Sequence, residues 1–87
     1  MIKGKTKSGF SYEITDAALN NFELLDVMAE VDNNPLLVPK MLKLLLGEKG
    51  KKVLYDHVRN DDGTVPTEKI KEEILEIFKS ESNAKNF

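Results

Sequence analysis

The chain has no cysteine. That excludes disulfides, thiolate metal sites and cysteine nucleophiles together, and it fits a reducing compartment. His57 is the only histidine, and one imidazole without cysteines cannot assemble a zinc site. The opening Met1-Ile2-Lys3-Gly4-Lys5 lacks the apolar core of a signal peptide. Long hydrophobic runs are also missing: Lys40 and Lys43 interrupt the longest, which falls well short of the ~20 residues a membrane helix needs. A soluble, cytoplasmic protein that makes no use of the membrane is expected. A net charge of −2 offers none of the basic excess that nucleic-acid binding usually requires. The groups Lys3/Lys5/Lys7 and Lys49/Lys51/Lys52 read as solvated surface.

Eighty-seven residues make one domain. A chain this short buries only about 60–65% of its unfolded surface, so its core is modest. Residues 1–14 alternate in character: Phe10, Tyr12 and Ile14 point one way, Ser11 and Glu13 the other. Ile2, Gly4 and Thr6 alternate likewise with three lysines, and Lys7-Ser8-Gly9 supplies turn residues, which predicts a short hairpin. Lysines along a strand discourage edge-to-edge aggregation.

Helices follow. Thr15 or Asp16 can cap one helical turn over Asp16–Asn20, and Asn20 or Asn21 can cap a longer helix, Phe22 to Val31. On that helix Leu24, Leu25, Val27, Met28 and Val31 gather on one side and Glu23, Asp26 and Glu30 on the other. Asp32-Asn33-Asn34-Pro35 ends it. Leu36–Leu46 is the most informative segment. Leu37, Val38, Met41, Leu42, Leu44, Leu45 and Leu46 span roughly 200° of the helix, against the ~100° stripe of an ordinary surface helix. Either this is the central helix of the domain, or part of its face is kept for another protein. Pro39 suits its first turn and Gly47 its end. A further helix runs from Glu48 to Arg59, with Val53, Leu54, Tyr55 and Val58 apolar and its lysines where the helix dipole prefers acids.

Asn60-Asp61-Asp62-Gly63 signals a turn, and Thr64 to Thr67 leads into a last helix ending near Lys79. Ile70, Ile74, Leu75, Ile77 and Phe78 form its apolar stripe, with Lys69 and Glu73 as a charge pair on the outer face. Residues 80–87 lose the period and are expected to be a flexible tail. The fold expected is helix-dominated α+β: about four helices in a compact bundle behind an N-terminal hairpin, in one domain over residues 1–79.

Chemistry-bearing patterns are weak. Asn60 to Val65 looks like the middle of an EF-hand loop, but the first ligand position would be Val58 and the twelfth Lys69, where a bidentate Glu is needed. His57 lacks an orienting carboxylate, since Asp56 points about 100° away, and no serine sits in a nucleophile elbow. Glu68, Glu72, Glu73 and Glu76 read as a solvated helix face. Gly47 and Gly50 form no phosphate loop. No catalytic, cofactor or metal site is therefore expected, and the protein should not be an enzyme.

The order of Phe10-Ser11-Tyr12-Glu13-Ile14, Asn21-Phe22-Glu23-Leu24-Leu25, Asn34-Pro35-Leu36, Leu44-Leu45-Leu46-Gly47 and Asp61-Asp62-Gly63 resembles small tail assembly chaperones of phages and prophages of Gram-positive bacteria. The resemblance spans most of residues 9–78 and carries over no functional residue. It implies a non-enzymatic protein that holds an aggregation-prone tail component, such as the tape-measure or tail-tube protein, in the host cytoplasm. The wide apolar face predicts a homo-oligomer and a protein contact at or beside Leu37, Met41, Leu44 and Leu45. The alternative is a small regulatory nucleic-acid-associated module, with the helices around Gly47 as a helix-turn-helix.

Overall fold

A computed structural model describes residues 1–85, with side chains described for residues 1–79. Strands β1 (Ile2–Lys5) and β2 (Ser11–Ile14) pair antiparallel, with Ile2 opposite Ile14 and Gly4 opposite Tyr12. The Thr6 N–H donates to the Phe10 carbonyl at 2.9 Å and the Gly9 N–H to the Thr6 carbonyl at 3.0 Å. Gly9 takes the positive φ of a bulged hairpin turn. The alternation read from the sequence holds: Phe10, Tyr12 and Ile14 are buried, while Lys3, Lys5 and Lys7 face outward. The Tyr12 ring lies across Gly4, so a Cβ there would stand 2.3 Å from the phenol oxygen. Glycine lets the aromatic ring cover the neighbouring strand.

Helix α1 (Asp16–Leu19) is a single turn capped by Thr15, whose hydroxyl accepts from the Ala18 N–H at 3.1 Å. Asn21 caps α2 (Phe22–Val31) by accepting from the Glu23 N–H at 3.0 Å. The Asn33 and Asn34 N–H groups close its far end on the Glu30 carbonyl. Pro35–Leu37 then forms a 3-10 turn rather than the start of the next helix, with the Leu37 N–H on the Asn34 carbonyl at 3.0 Å. Helix α3 (Val38–Val58) therefore begins two residues later than its apolar pattern predicts, and Pro39 sits in its first turn, where no N–H is needed.

Gly47 divides α3 into two arms at φ 80° and ψ 168°. That combination is almost confined to glycine, because a side chain would collide with its own backbone. Met41, Leu42 and Leu45 from the first arm and Leu54 from the second are buried together with Leu24, Val27, Ile70, Ile74, Ile77 and the inward face of β2. α3 packs on α1, α2, β2 and α4 (Thr67–Lys85), and α4 also reaches β1. The helix-dominated α+β bundle behind a hairpin is the fold observed. α4 stays helical past the expected end at Lys79, since nothing between Ser80 and Lys85 is a helix breaker. The expected flexibility of residues 80–87 falls on side chains, and on residues 86–87, outside those described.

A Cβ at Gly47 would meet nothing within 4 Å, so substitution there isolates backbone strain from packing. Gly47→Ala should destabilise the domain by about 1–3 kcal/mol, read as a lower urea midpoint with an unchanged slope. An unchanged midpoint would mean that the two arms do not depend on this conformation.

Candidate interaction surface

The residues singled out by the wide apolar arc divide into two groups. Met41 is 1% and Leu45 4% exposed, both deep in the core of the single chain. Leu37 and Leu44 are partly buried at its edge. α3 is central, and its arc is spent inward because other elements of the same chain cover it. Within the single chain Met41 and Leu45 are packed among its own elements, and Leu37 and Leu44 keep part of their surface. Leu44 and Leu45 border an open groove of about 400 Å³ between α1 and the Gly47 break, which Thr15 and Asn21 also line. The Lys43 ammonium, 3.1 Å from the Glu48 carboxylate, spans the break at this groove.

Large apolar side chains are exposed at Met1, Leu19, Phe22, Leu25, Leu36, Val53 and Leu75, and Phe22 and Leu25 share one face of α2. On α2, Leu24 and Val27 are buried and Met28 and Val31 half-buried against the core. At 100° per residue, Phe22, Leu25 and Ala29 fall on the opposite side of the helix. Phe22 is 78% and Leu25 57% exposed, and Ala29 is exposed beside them. Periodicity placed Leu25 with the core-facing residues. The structure puts it on the outer stripe, because α3 contacts a narrower arc than α2 presents. Glu23, Asp26 and Glu30, all exposed, run along one flank of the stripe. No lysine, arginine or histidine occurs between Asp16 and Asn34.

A second cluster escaped the sequence reading. Thr6 Oγ1 donates to Glu73 Oε1 at 2.7 Å and Ser8 Oγ donates to Glu73 Oε2 at 2.8 Å. His57 Nε2 lies 3.0 Å from the same serine oxygen, and the His57 ring is 5.8 Å from that of Phe10. Glu73 is 6% exposed, not on the outer face as its spacing from Lys69 suggests. No ion pair among the described residues includes it. A buried carboxylate needs donors more than it needs a distant lysine, and the hairpin tip supplies two hydroxyls. The signal was a Thr-x-Ser pair at a turn, which becomes informative only once the tip is known to meet α4.

The cluster resembles a serine–histidine–acid set in composition but not in order. Ser8 Oγ bonds the Glu73 carboxylate and also lies within hydrogen-bond distance of His57 Nε2, so the acid meets the serine and not the imidazole. Activation of a serine nucleophile needs the imidazole between serine and acid, with the acid orienting the ring from behind. The arrangement is a clasp that ties the hairpin tip to α3 and α4.

Two further polar groupings are engaged within the chain. In the Asn60–Thr64 turn, Asp62 Oδ1 accepts from the Thr64 hydroxyl at 2.6 Å and its N–H at 3.0 Å. The Gly63 carbonyl accepts from Arg59 Nη1 at 2.8 Å. The hydroxyl, then the amide, hold the Asp62 carboxyl below its ordinary range. The Lys51 ammonium stands 5.8 Å over the Tyr55 ring. Among the described residues no helix is long and apolar enough to cross a membrane.

Comparison of the chain with protein families, with characterised proteins and with solved structures finds no match.

Three measurements follow from this geometry. Leu45→Glu should unfold the domain, because an unpaired buried carboxylate costs several kcal/mol (roughly 2–7 for a polar group without a partner); a folded, soluble variant would place Leu45 at a surface. Ser8→Ala and Glu73→Ala should each cost about 1–3 kcal/mol. In a double-mutant cycle their effects should couple by at least ~0.5 kcal/mol, whereas strictly additive losses would show that the clasp is not one unit. Asp62 supplies a sign for acid titration. A carboxyl with a depressed folded value adds stability above its unfolded value, lost as pH falls through the folded one. Asp62→Asn should therefore lose part of the acid dependence below the unperturbed value of 3.8; an identical acid limb would contradict it.

Proposed function

We propose that this chain is a non-enzymatic protein-interaction module that holds an apolar helical segment of a partner protein against the outer face of α2. The observation that carries the reading is the exposure of Phe22 and Leu25 on one helix face, in a domain whose core is closed without them. Burying a large apolar side chain releases about 1.5–3 kcal/mol. Two such groups at i and i+3, with Ala29 one turn on, match the anchor spacing by which helices dock along one another. The hydrogen-bond order of the Ser8–His57–Glu73 cluster supports a binding role over a hydrolytic one.

The specific role we assign is assembly of a phage or prophage tail, with the tape-measure protein as the held component. It rests on the resemblance in the order of segments and on the fit of an exposed apolar stripe to a protein that shields helices until the tail polymerises. Self-association through α3 is not part of this reading, since Met41 and Leu45 are committed to the core.

The neighbouring genes provide the first test, and tail genes should be among them. Co-expression with the tape-measure protein encoded there should then yield a complex. Phe22→Ala/Leu25→Ala should weaken it by tenfold or more while shifting stability by less than about 0.5 kcal/mol, as exposed substitutions do. A neighbourhood without tail genes, or no complex at micromolar concentration, would overturn the assembly role.

A further inference from the structure

Resting on the reading of α2 as a docking face, we infer that its occupant is a basic amphipathic helix. The argument comes from charge. The acids Asp16, Glu23, Asp26, Glu30 and Asp32 accumulate over one segment with no cation among them. The chain's basic residues lie in other segments: Lys3, Lys5 and Lys7 in the hairpin, Lys40, Lys43, Lys49, Lys51 and Lys52 along α3, Arg59 just past it, and Lys69, Lys71, Lys79 and Lys85 on α4. None of the ion pairs among the described residues uses Glu23, Asp26 or Glu30. The carboxylates that flank Phe22 and Leu25 thus make no ion pair among the described residues, and a partner's lysines or arginines would complete them.

The same charges reject the other candidates for this surface. Two copies of α2 laid face to face would bring their carboxylates together, and like charges across an interface cost several kcal/mol. An anionic membrane or nucleic-acid backbone meets the same repulsion. A second copy's α3 presents Lys49, Lys52 and Val53 outward, but Val53 is its one large exposed apolar group, which is too little to fill a stripe of two anchors. An acidic helix with the right apolar spacing would fit by shape and fail by charge. A helix with apolar residues at i, i+3 and i+7 and lysine or arginine beside them satisfies both.

Two synthetic helices of about 18 residues, long enough to be helical in isolation, test this directly. They share one leucine stripe and carry either lysine or glutamate on the polar face, each with a fluorophore for anisotropy titration. The lysine peptide should bind at least tenfold more tightly than the glutamate peptide at low salt, and its affinity should fall as salt rises. Phe22→Ala/Leu25→Ala should abolish binding and Asp26→Asn/Glu30→Gln should weaken it several-fold. Glu68→Gln/Glu72→Gln, on the outer side of α4, should leave it unchanged. Equal or tighter binding of the glutamate peptide would overturn the charge assignment while leaving α2 as a docking face. Lysine-peptide binding that ignores Phe22 and Leu25, or responds equally to the α4 variants, would show attraction to acidic surface alone and overturn the site. Failure of both peptides to bind would remove the α2 face itself, the ground on which the inference stands. Sedimentation showing that the free chain dimerises through Phe22 and Leu25 would assign the face to a second copy and overturn the inference.

Discussion

Burial of the apolar side of α3 is the constraint on which the rest of the molecule depends. An 87-residue chain has room for one core, and a helix with a roughly 200° apolar arc must be surrounded to be stable in water. Surrounding it requires elements on several sides: β2 and α2 from the N-terminal half, α4 from the C-terminal half. It also requires a change of chain direction, which Gly47 supplies. The broken helix is the central element, and each neighbour contributes an amphipathic face to it.

That constraint decides what remains for function. Once α3 is enclosed, Met41, Leu42, Leu45 and Leu54 are spent on the core. The neighbours are then the elements with apolar residues to spare. α2 is a helix whose apolar arc is wider than the side that α3 covers, which leaves Phe22 and Leu25 in solvent. A structural demand on one helix thus produces an available face on another. The clasp of Thr6, Ser8, His57 and Glu73 acts in a different region, fixing the hairpin across two helices with a carboxylate that finds its donors in a turn.

Local elements were legible in the sequence because their causes are local. The hairpin follows from alternation at Phe10, Tyr12 and Ile14, the start of α2 from Asn21, the break from Gly47 and the last turn from Asn60–Gly63. What escaped was long-range. Glu73 sits four residues from Lys69, and nothing in that spacing tells that a hairpin 65 residues away will present a hydroxyl to it. The assignment of Leu25 to the core side failed for a related reason: periodicity gives the width of an apolar arc but not how much of it a neighbour will cover. The two possibilities left open for the α3 arc, central helix or reserved interface, could be separated only by knowing what packs around it.

The central claim is that the single chain hides the α3 arc and exposes the α2 stripe, and the absence of cysteine permits a direct test. Single substitutions Phe22→Cys, Leu25→Cys, Met41→Cys and Leu45→Cys can be reacted with a thiol reagent under native conditions across a range of protein concentrations. Cysteines at positions 22 and 25 should react at the rate of a free thiol at every concentration. Those at 41 and 45 should react only through opening of the fold, slower by orders of magnitude. Fast labelling at 41 and 45 in a folded protein, or protection at 22 and 25 that grows with concentration, would contradict the account.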